Sequence, residues 1–353
     1  MRVLAIETSC DETGLALLEG QQIKKTLDGG FAFSVIKQAL LSQAQLHAQY
    51  GGVFPNLAKR EHEKNLPVLF EDFKNEQFDA VAVTYGPGLE PALWTGINFA
   101  QKIAADHNVP LLPINHMEGH LLSSLVKDGK LENVQLPVLA LLISGGHTEF
   151  VVMQDWFTYE VIGQTKDDAV GEAYDKVARM LGLGYPGGPQ ISKLAEESRH
   201  VSSEEIKLPR PMLDTKDCNM SFSGLKTAVL YAVRDLGGVQ NLSGEQIAAI
   251  ATEFENAATD VLVHKTKRAL QKTGAKTFVI GGGVAANKHI RESLMEMIKK
   301  DFSDVEMRLP ELNITGDNAI MIAEAALARR LSDIDDTAKP DLRAVGKLSI
   351  QTK

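Results

Sequence analysis

Residues 3–18, VLAIETSCDETGLALL, are echoed 135 positions later (138 − 3) by residues 138–153, VLALLISGGHTEFVVM. Both blocks open on VLA, Ser9 matches Ser144, and Thr13 matches Thr148. Each reads as a strand, a polar turn and a second strand, and alternating helix and strand patterns follow. A repeat of this kind predicts a duplicated α/β fold with a cleft between its halves. Further strands are expected at 78–84, 109–114 and 277–280. Helices are expected at 33–50, 58–75, 91–107, 116–127, 169–181, 244–273, from 287, and at 319–330. The charged stretch 196–216 reads as flexible, 308–315 as a loop, and 332–353 as polar and partly disordered.

A chain of 353 residues has room for two such halves and their cores. Apolar residues make up 44% and charged residues 24%, which excludes disordered, collagen-like and coiled-coil architectures. Cys10 and Cys218 are too few for a disulfide framework. No apolar run reaches the roughly 18 residues of a membrane span, and Glu7 interrupts any signal-peptide core. A soluble cytoplasmic protein is expected. The 37 basic and 46 acidic residues give a net charge of −9, which offers no bulk attraction for nucleic acid.

Six constellations carry polar chemistry. In HMEGH, His116 and His120 stand at i and i+4 on one helix face just after a buried strand, the spacing that lets two imidazoles share a metal. An ordinary polar helix pair has the same spacing. A zinc protease would need Glu next to the first histidine. Here Met117 holds that place and Glu118 is rotated a further ~100°. In Ile143–Thr148 (ISGGHT), paired glycines open backbone N–H groups to a phosphate or carboxylate, or form a hairpin turn. Gly281-Gly282-Gly283 precedes Asn287, a ligand cradle or a tight turn with a cap. Three glycines exceed what a turn needs, and side chains at Gly145 or Gly282 are expected to occupy ligand space. Asp317 is a helix cap or the carboxylate that a two-histidine metal site wants. Asp167, Asp168, Glu172 and Asp175 read as ribose or metal ligands, or as a solvated acidic face. In SFSGLKT a serine caps a helix and Lys226 could reach a phosphate. Lys59, Arg60, His62 and Lys64 form a basic cluster that reads as a solvated face.

IETSCDETG, GPGL, HMEGH, LISGGHT, GEAYDKVARMLGLGYPGGP, SFSGLKT, GGGVAAN and TGDNA occur in this order along nearly the whole chain. The set resembles the universal tRNA threonylcarbamoyladenosine transferase family, whose bacterial members are called TsaD and were once labelled O-sialoglycoprotein endopeptidases. The resemblance implies an α/β, duplicated actin-like/Hsp70-like/hexokinase-like (ASKHA) ATPase fold. Its halves would be 1–134 plus 308–353, with the metal histidines near the cleft, and 135–307, with the adenylate site. It implies transfer of a threonylcarbamoyl group from threonylcarbamoyl-adenylate to N6 of adenosine 37, in tRNAs that read codons beginning with A, with release of AMP. His116, His120 and Asp317 would bind one divalent metal per subunit, Fe2+ first, with Zn2+ or Mg2+ as alternatives. Leu142, Ile143, Ser144, Gly145, Gly146, Asp175, Gly188 and Asn287 would bind the adenylate. Asp11 and Glu12 match the family's catalytically required acidic pair.

Leu142 stands where archaeal and eukaryotic members carry a tyrosine metal ligand, and leucine cannot ligate. GPGLEPALWTG departs from the commoner bacterial GPGLVGALLVG. The implied partners are tRNA, a bacterial scaffold paralogue (TsaB-like) and a small ATPase (TsaE-like), with no membrane. The paralogue would dock on apolar-faced helices between residues 33 and 75, and the isolated chain would bind tRNA weakly. Two rivals remain: a sugar kinase or ATPase of the same fold, which has no use for the histidines, and the non-catalytic scaffold paralogue, which lacks the histidines and the TGD aspartate.

Overall fold

The first strand, β1 (Arg2–Glu7), is buried at all but its first position, as a central strand must be. The computed structural model describes residues 1–23, 30–199, 206–334, 337–338 and 341–352. After β1 come β2 (Glu12–Gln22), β3 (Phe31–Ser42), α1 (Ala44–Ala48), α2 (Pro55–Phe70), β4 (Ala80–Gly86), α3 (Glu90–His107), β5 (Leu111–Asn115), α4 (His116–Leu125) and β6 (Lys130–Leu131). The second series is β7 (Val138–Ile143), β8 (Thr148–Asp155), β9 (Thr158–Gln164), α5 (Val170–Met180), α6 (Gly187–Ser198), α7 (Ser223–Asp235), α8 (Gly244–Thr273), β10 (Thr277–Gly281), α9 (Lys288–Asp301), β11 (Glu306–Arg308) and α10 (Ala319–Leu331). The first sheet has the order β5-β4-β1-β2-β3-β6 and the second β11-β10-β7-β8-β9. In both, the first strand pairs antiparallel with the second and parallel with the strand that returns after the helices. The echo at residues 3 and 138 is therefore a duplication of topology.

Strand alternation sorts the side chains into layers. Leu4 and Ile6 face an outer core with Leu66 and Ile97 of α2 and α3. Val3 and Ala5 face a central core built around α4 and α10, which also receives Val138, Ala140 and Leu142 of the second sheet. Leu139, Leu141 and Ile143 point the other way, into a third core with α5 and α8. The order is helices, sheet, α4 with α10, sheet, helices. No helix among the described residues is long and apolar enough to cross a membrane.

The helix expected at 33–50 is present only as the short α1 (Ala44–Ala48). Residues 31–42 are strand β3, paired antiparallel along the whole of β2. Alternation of buried Phe31 and Phe33, together with that long-range pairing, outweighs the helical spacing of Ile36, Ala39 and Leu40. Val35, Ile36, Leu40 and Leu41 of this strand are exposed apolar residues. Residues 206–210 of the stretch read as flexible are held against α8: Leu208 is buried, and Arg210 pairs with Glu253 and Asp260. Residues 200–205 lie outside the described residues. The loop expected at 308–315 holds the end of β11 and a single helical turn at 312–314. In the tail, 335–336, 339–340 and 353 lie outside the described residues. The rest of it is not loose: Val345 N donates to Tyr85 O at 2.9 Å, and Ile350 is buried in the central core.

Candidate active site

α4 starts directly at the end of β5. Asn115 ends that strand and caps the helix, its Oδ1 accepting Met117 N at 2.8 Å and Glu118 N at 3.3 Å. The i, i+4 spacing sets the rings of His116 and His120 on one face, 4.7 Å apart and nearly perpendicular. The loop before α10 brings Asp317 to them. Its Oδ1 lies 3.3 Å from His116 Nε2 and 3.1 Å from His120 Nε2. Ligand atoms of all three fall within 4.8 Å of one another, and both histidines are buried.

Sequence reasoning missed Glu7. This fully buried carboxylate accepts Ser9 N and Thr84 Oγ1, each at 2.5 Å, and its Oε2 lies 3.2 Å from His116 Nδ1. A carboxylate behind a histidine fixes its tautomer and turns the other nitrogen toward a metal. The signal was in the echo: position 7 is acidic where position 142 is leucine. Burial alone pushes the Asp317 carboxyl up, but the charge of His116, and hydrogen bonds from both histidines, hold it well below the usual range. Burial pushes His116 down, and Asp317 with Glu7 more than reverses it. The site attracts positive charge.

Two imidazoles and one carboxylate, backed by a second carboxylate, fit a divalent transition metal. This is the donor set of non-haem Fe(II) and of zinc sites, whereas Mg2+ prefers oxygen ligands throughout. Asp317 is not the helix cap, because that task falls to Asn318, whose side chain accepts Met321 N at 3.1 Å.

Asp11, in the turn after β1, and Glu12, the first residue of β2, sit beside this centre. Burial, followed by the charges of Asp11 and Asp317, raises Glu12 to about 9. His62 braces the turn from α2. It is fully buried, with Nδ1 2.8 Å from Thr13 Oγ1 and Nε2 3.0 Å from Cys10 O, so it does not belong to a solvated basic face. Its neighbours do: Lys59 pairs with Glu63 and Lys64 with Glu61, both exposed, and Arg60 is exposed too.

Within electrostatic reach of the same centre, the β7–β8 turn closes on Ser144. Its N donates to His147 O at 2.8 Å, and its Oγ accepts His147 N at 3.1 Å and Gly146 N at 3.3 Å. Burial and then the charge of His116 push His147 down to about 4, a neutral imidazole. A Cβ added at Gly145, Gly146, Gly188 or Gly283 would meet nothing. These four positions border open space. Gly282 does not: at φ +90° its Cβ would collide with Ile143 O, and a Cβ at Gly281 would press on His120 O. Two of the three glycines therefore answer to backbone packing and only Gly283 to open space. Leu142 and Ile143 bury their side chains in opposite cores, so only their backbones can face a ligand.

Asp175 accepts Gly187 N at 2.7 Å at the start of α6, and burial raises its pKa. Asn287 is both cap and network member. Its Oδ1 accepts Ile290 N at 2.9 Å, while its Nδ2 donates to Glu255 at 2.6 Å and Ser192 at 2.8 Å. Glu255, buried and paired with Arg199, was not singled out from the sequence.

The remaining acidic and basic residues are structural. Asp167 accepts Ser221 Oγ, Ser223 Oγ and the N–H groups of Phe222 and Ser223, so it caps α7 in place of the expected serine. Asp168 binds Lys226 at 2.8 Å and Lys176 at 2.9 Å, and Glu172 pairs with Lys176. Lys226 thus reaches a carboxylate.

Fold and site together define a duplicated ASKHA protein with a candidate metal centre between its sheets. Full-length HypF, in its phosphate- and nucleotide-bound form, superposes with a TM-score of 0.57 at 12% identity, over 96% of this chain and 47% of that one. HypF of T. kodakarensis gives 0.54, also at 12%. Identity this low supports likeness of fold alone, and this chain spans about half of HypF. Sequence is more specific. The family model described as TsaD, tRNA N6-adenosine threonylcarbamoyltransferase, matches residues 34–324. Proteins of that name from Thermosipho melanesiensis and Paraburkholderia xenovorans are 42% and 44% identical. They cover 97% and 93% of this chain and 99% and 92% of their own lengths. The chain belongs to the tRNA N6-adenosine threonylcarbamoyltransferase family.

Proposed function

We propose that the chain transfers a threonylcarbamoyl group from threonylcarbamoyl-adenylate to N6 of adenosine 37 in tRNAs reading codons that begin with A. The observation that carries this reading is the meeting of His116, His120 and Asp317 beside the acidic turn of Asp11 and Glu12 and the open glycines across the cleft. We read 1–134 plus 308–353 and 135–307 as the two lobes, which would carry these two sets. A sugar kinase would not need the histidines.

His116, His120 and Asp317 would hold one divalent metal, with Fe2+ or Zn2+ suited to the donors. It would supply Lewis acidity or anchor the threonyl carboxylate. Gly145, Gly146, Gly188 and Gly283 leave room for the adenylate, and Ser144, Asp175 and Asn287 border it. The N6 amine attacks the carbamoyl carbon, the bond to the phosphate oxygen breaks, and AMP leaves with the electron pair. The amine proton needs an acceptor. Burial and the neighbouring carboxylates favour the neutral form of Glu12, so Asp11 is assigned as the acceptor.

We assign the chain to the cytoplasm, with tRNA, a TsaB-like paralogue and a TsaE-like ATPase as partners. The exposed apolar residues of β3, Val35, Ile36, Leu40 and Leu41, support docking of the paralogue at this strand. The test is incubation with threonylcarbamoyl-adenylate, tRNA and these partners, followed by nucleoside mass spectrometry. Modified adenosine that requires this chain supports the reading. Its absence with a folded, metal-loaded protein overturns it.

A further inference from the structure

The middle residue of HMEGH faces away from the metal centre. Glu118 is two residues from each histidine, about 200° around the helix. Every residue of α4 is buried, so this carboxylate sits in the central core. A buried charge needs partners. Glu118 Oε1 accepts Tyr159 OH at 2.8 Å and Arg329 Nη1 at 3.0 Å. Tyr159 belongs to β9 of the second sheet. Arg329 lies toward the far end of α10, twelve residues (329 − 317) past Asp317, roughly 18 Å along the helix. Its guanidinium also covers the Phe157 ring at 5.6 Å.

The C-terminal segment ties into the same cluster. Gly88 N donates to Gly346 O at 3.1 Å at the end of the first sheet. Asn115, the cap of α4, donates from Nδ2 to Ser349 O at 3.2 Å. Thr352 then ladders onto Tyr159: Tyr159 N donates to Thr352 Oγ1 at 2.9 Å, and Thr352 N to Tyr159 O at 3.0 Å. One strap, residues 345–352, therefore touches the first sheet, the cap of the histidine helix and the second-sheet partner of Glu118.

We propose that Glu118, Tyr159, Arg329 and the strap 345–352 form a positioning device for the metal centre. Glu118 fixes the rotation of α4 against α10, so that His116 and His120 meet Asp317, and the strap holds Tyr159 and the α4 cap in place. Glu118 is a positioning residue, since it touches none of the metal ligand atoms. The inference rests on the reading of His116, His120 and Asp317 as metal ligands.

The test uses Co2+ alone as probe, with its affinity and visible absorption measured on purified full-length chain, Tyr159→Phe, Thr352→Ala, Thr352→Ser and a chain ending at Leu348. Melting curves of the metal-free proteins run alongside. Residues that orient ligands change metal affinity by roughly 10–100-fold. Tyr159→Phe, Thr352→Ala and the shortened chain should lose tenfold or more in Co2+ affinity and change the absorption band. Thr352→Ser, which keeps the hydroxyl, should stay within twofold of the parent. Folded Tyr159→Phe and Thr352→Ala proteins with the parent's affinity and spectrum would overturn the proposal. If Tyr159→Phe does not fold, the Thr352 pair decides. His120→Ala separates the two layers: parent-like Co2+ binding there means that the metal reading itself has failed, and the positioning role falls with it.

Discussion

Asp317 and Asn318 are chain neighbours with separate tasks. Asn318 caps α10 through Met321 N, which leaves Asp317 free to set its Oδ1 3.1 Å from His120 Nε2. The change Asp317→Asn therefore leaves the helix cap untouched. The expected result is an unchanged far-UV circular dichroism spectrum, at least tenfold weaker metal binding, and loss of transfer. Full metal occupancy with normal transfer would remove Asp317 from the ligand set.

Glu7 should behave as a second carboxylate of the same centre. Glu7→Gln keeps the shape and the acceptor for Ser9 N, but removes the charge behind His116. Metal affinity should fall by roughly 10–100-fold, as for other orienting partners. Competition with a chelator of known affinity measures it. A change under twofold would make Glu7 a purely structural group.

The glycines divide by what surrounds them. Gly282→Val places a side chain against Ile143 O at a positive φ, and should destabilise the fold by several kcal/mol. Gly145→Val and Gly283→Val project into open space. They should leave the melting temperature within a few degrees and weaken AMP binding, read by calorimetry. Parent-like AMP affinity in both would move the adenylate elsewhere.

Asp11 and Glu12 should differ under isosteric replacement. Burial, then the charges of Asp11 and Asp317, raise Glu12 to about 9, which favours its neutral form, and Gln mimics that form. Glu12→Gln should retain transfer within tenfold. Asp11→Asn should lose a hundredfold or more, the usual range for a positioned base. Single-turnover rates at pH 7 compare them, and the reverse ranking would exchange the roles.

Glu324 of α10 offers a pH test away from the centre. It is buried beside Ser123, and burial, with a further push from Glu311, raises it from 4.5 to about 8. The folded chain keeps this proton between those values and the unfolded chain does not. Stability from this group is therefore present below about pH 4.5 and falls as pH rises toward 8, by up to about 5 kcal/mol. Glu324→Gln should raise the denaturation midpoint clearly at pH 9 and little at pH 5. An equal effect at both would show that Glu324 is ionised in the fold.

Local pattern in the sequence carried the repeated strand–turn–strand units, the amphipathic α5, the long α8, and the histidine pair on one helix face. These rest on periodicity and i, i+4 geometry, which neighbours in the chain decide. β3 was misread because its partner strand, not its own spacing, sets its conformation. The choice between ligand and cap for Asp317 was open until Asn318 was seen to take Met321 N. Glu7, Glu118 and the strap at 345–352 stayed hidden for one reason. Their partners lie 109, 211 and 193 residues away, and a buried charge or backbone group shows its task only when the fold brings that partner to it.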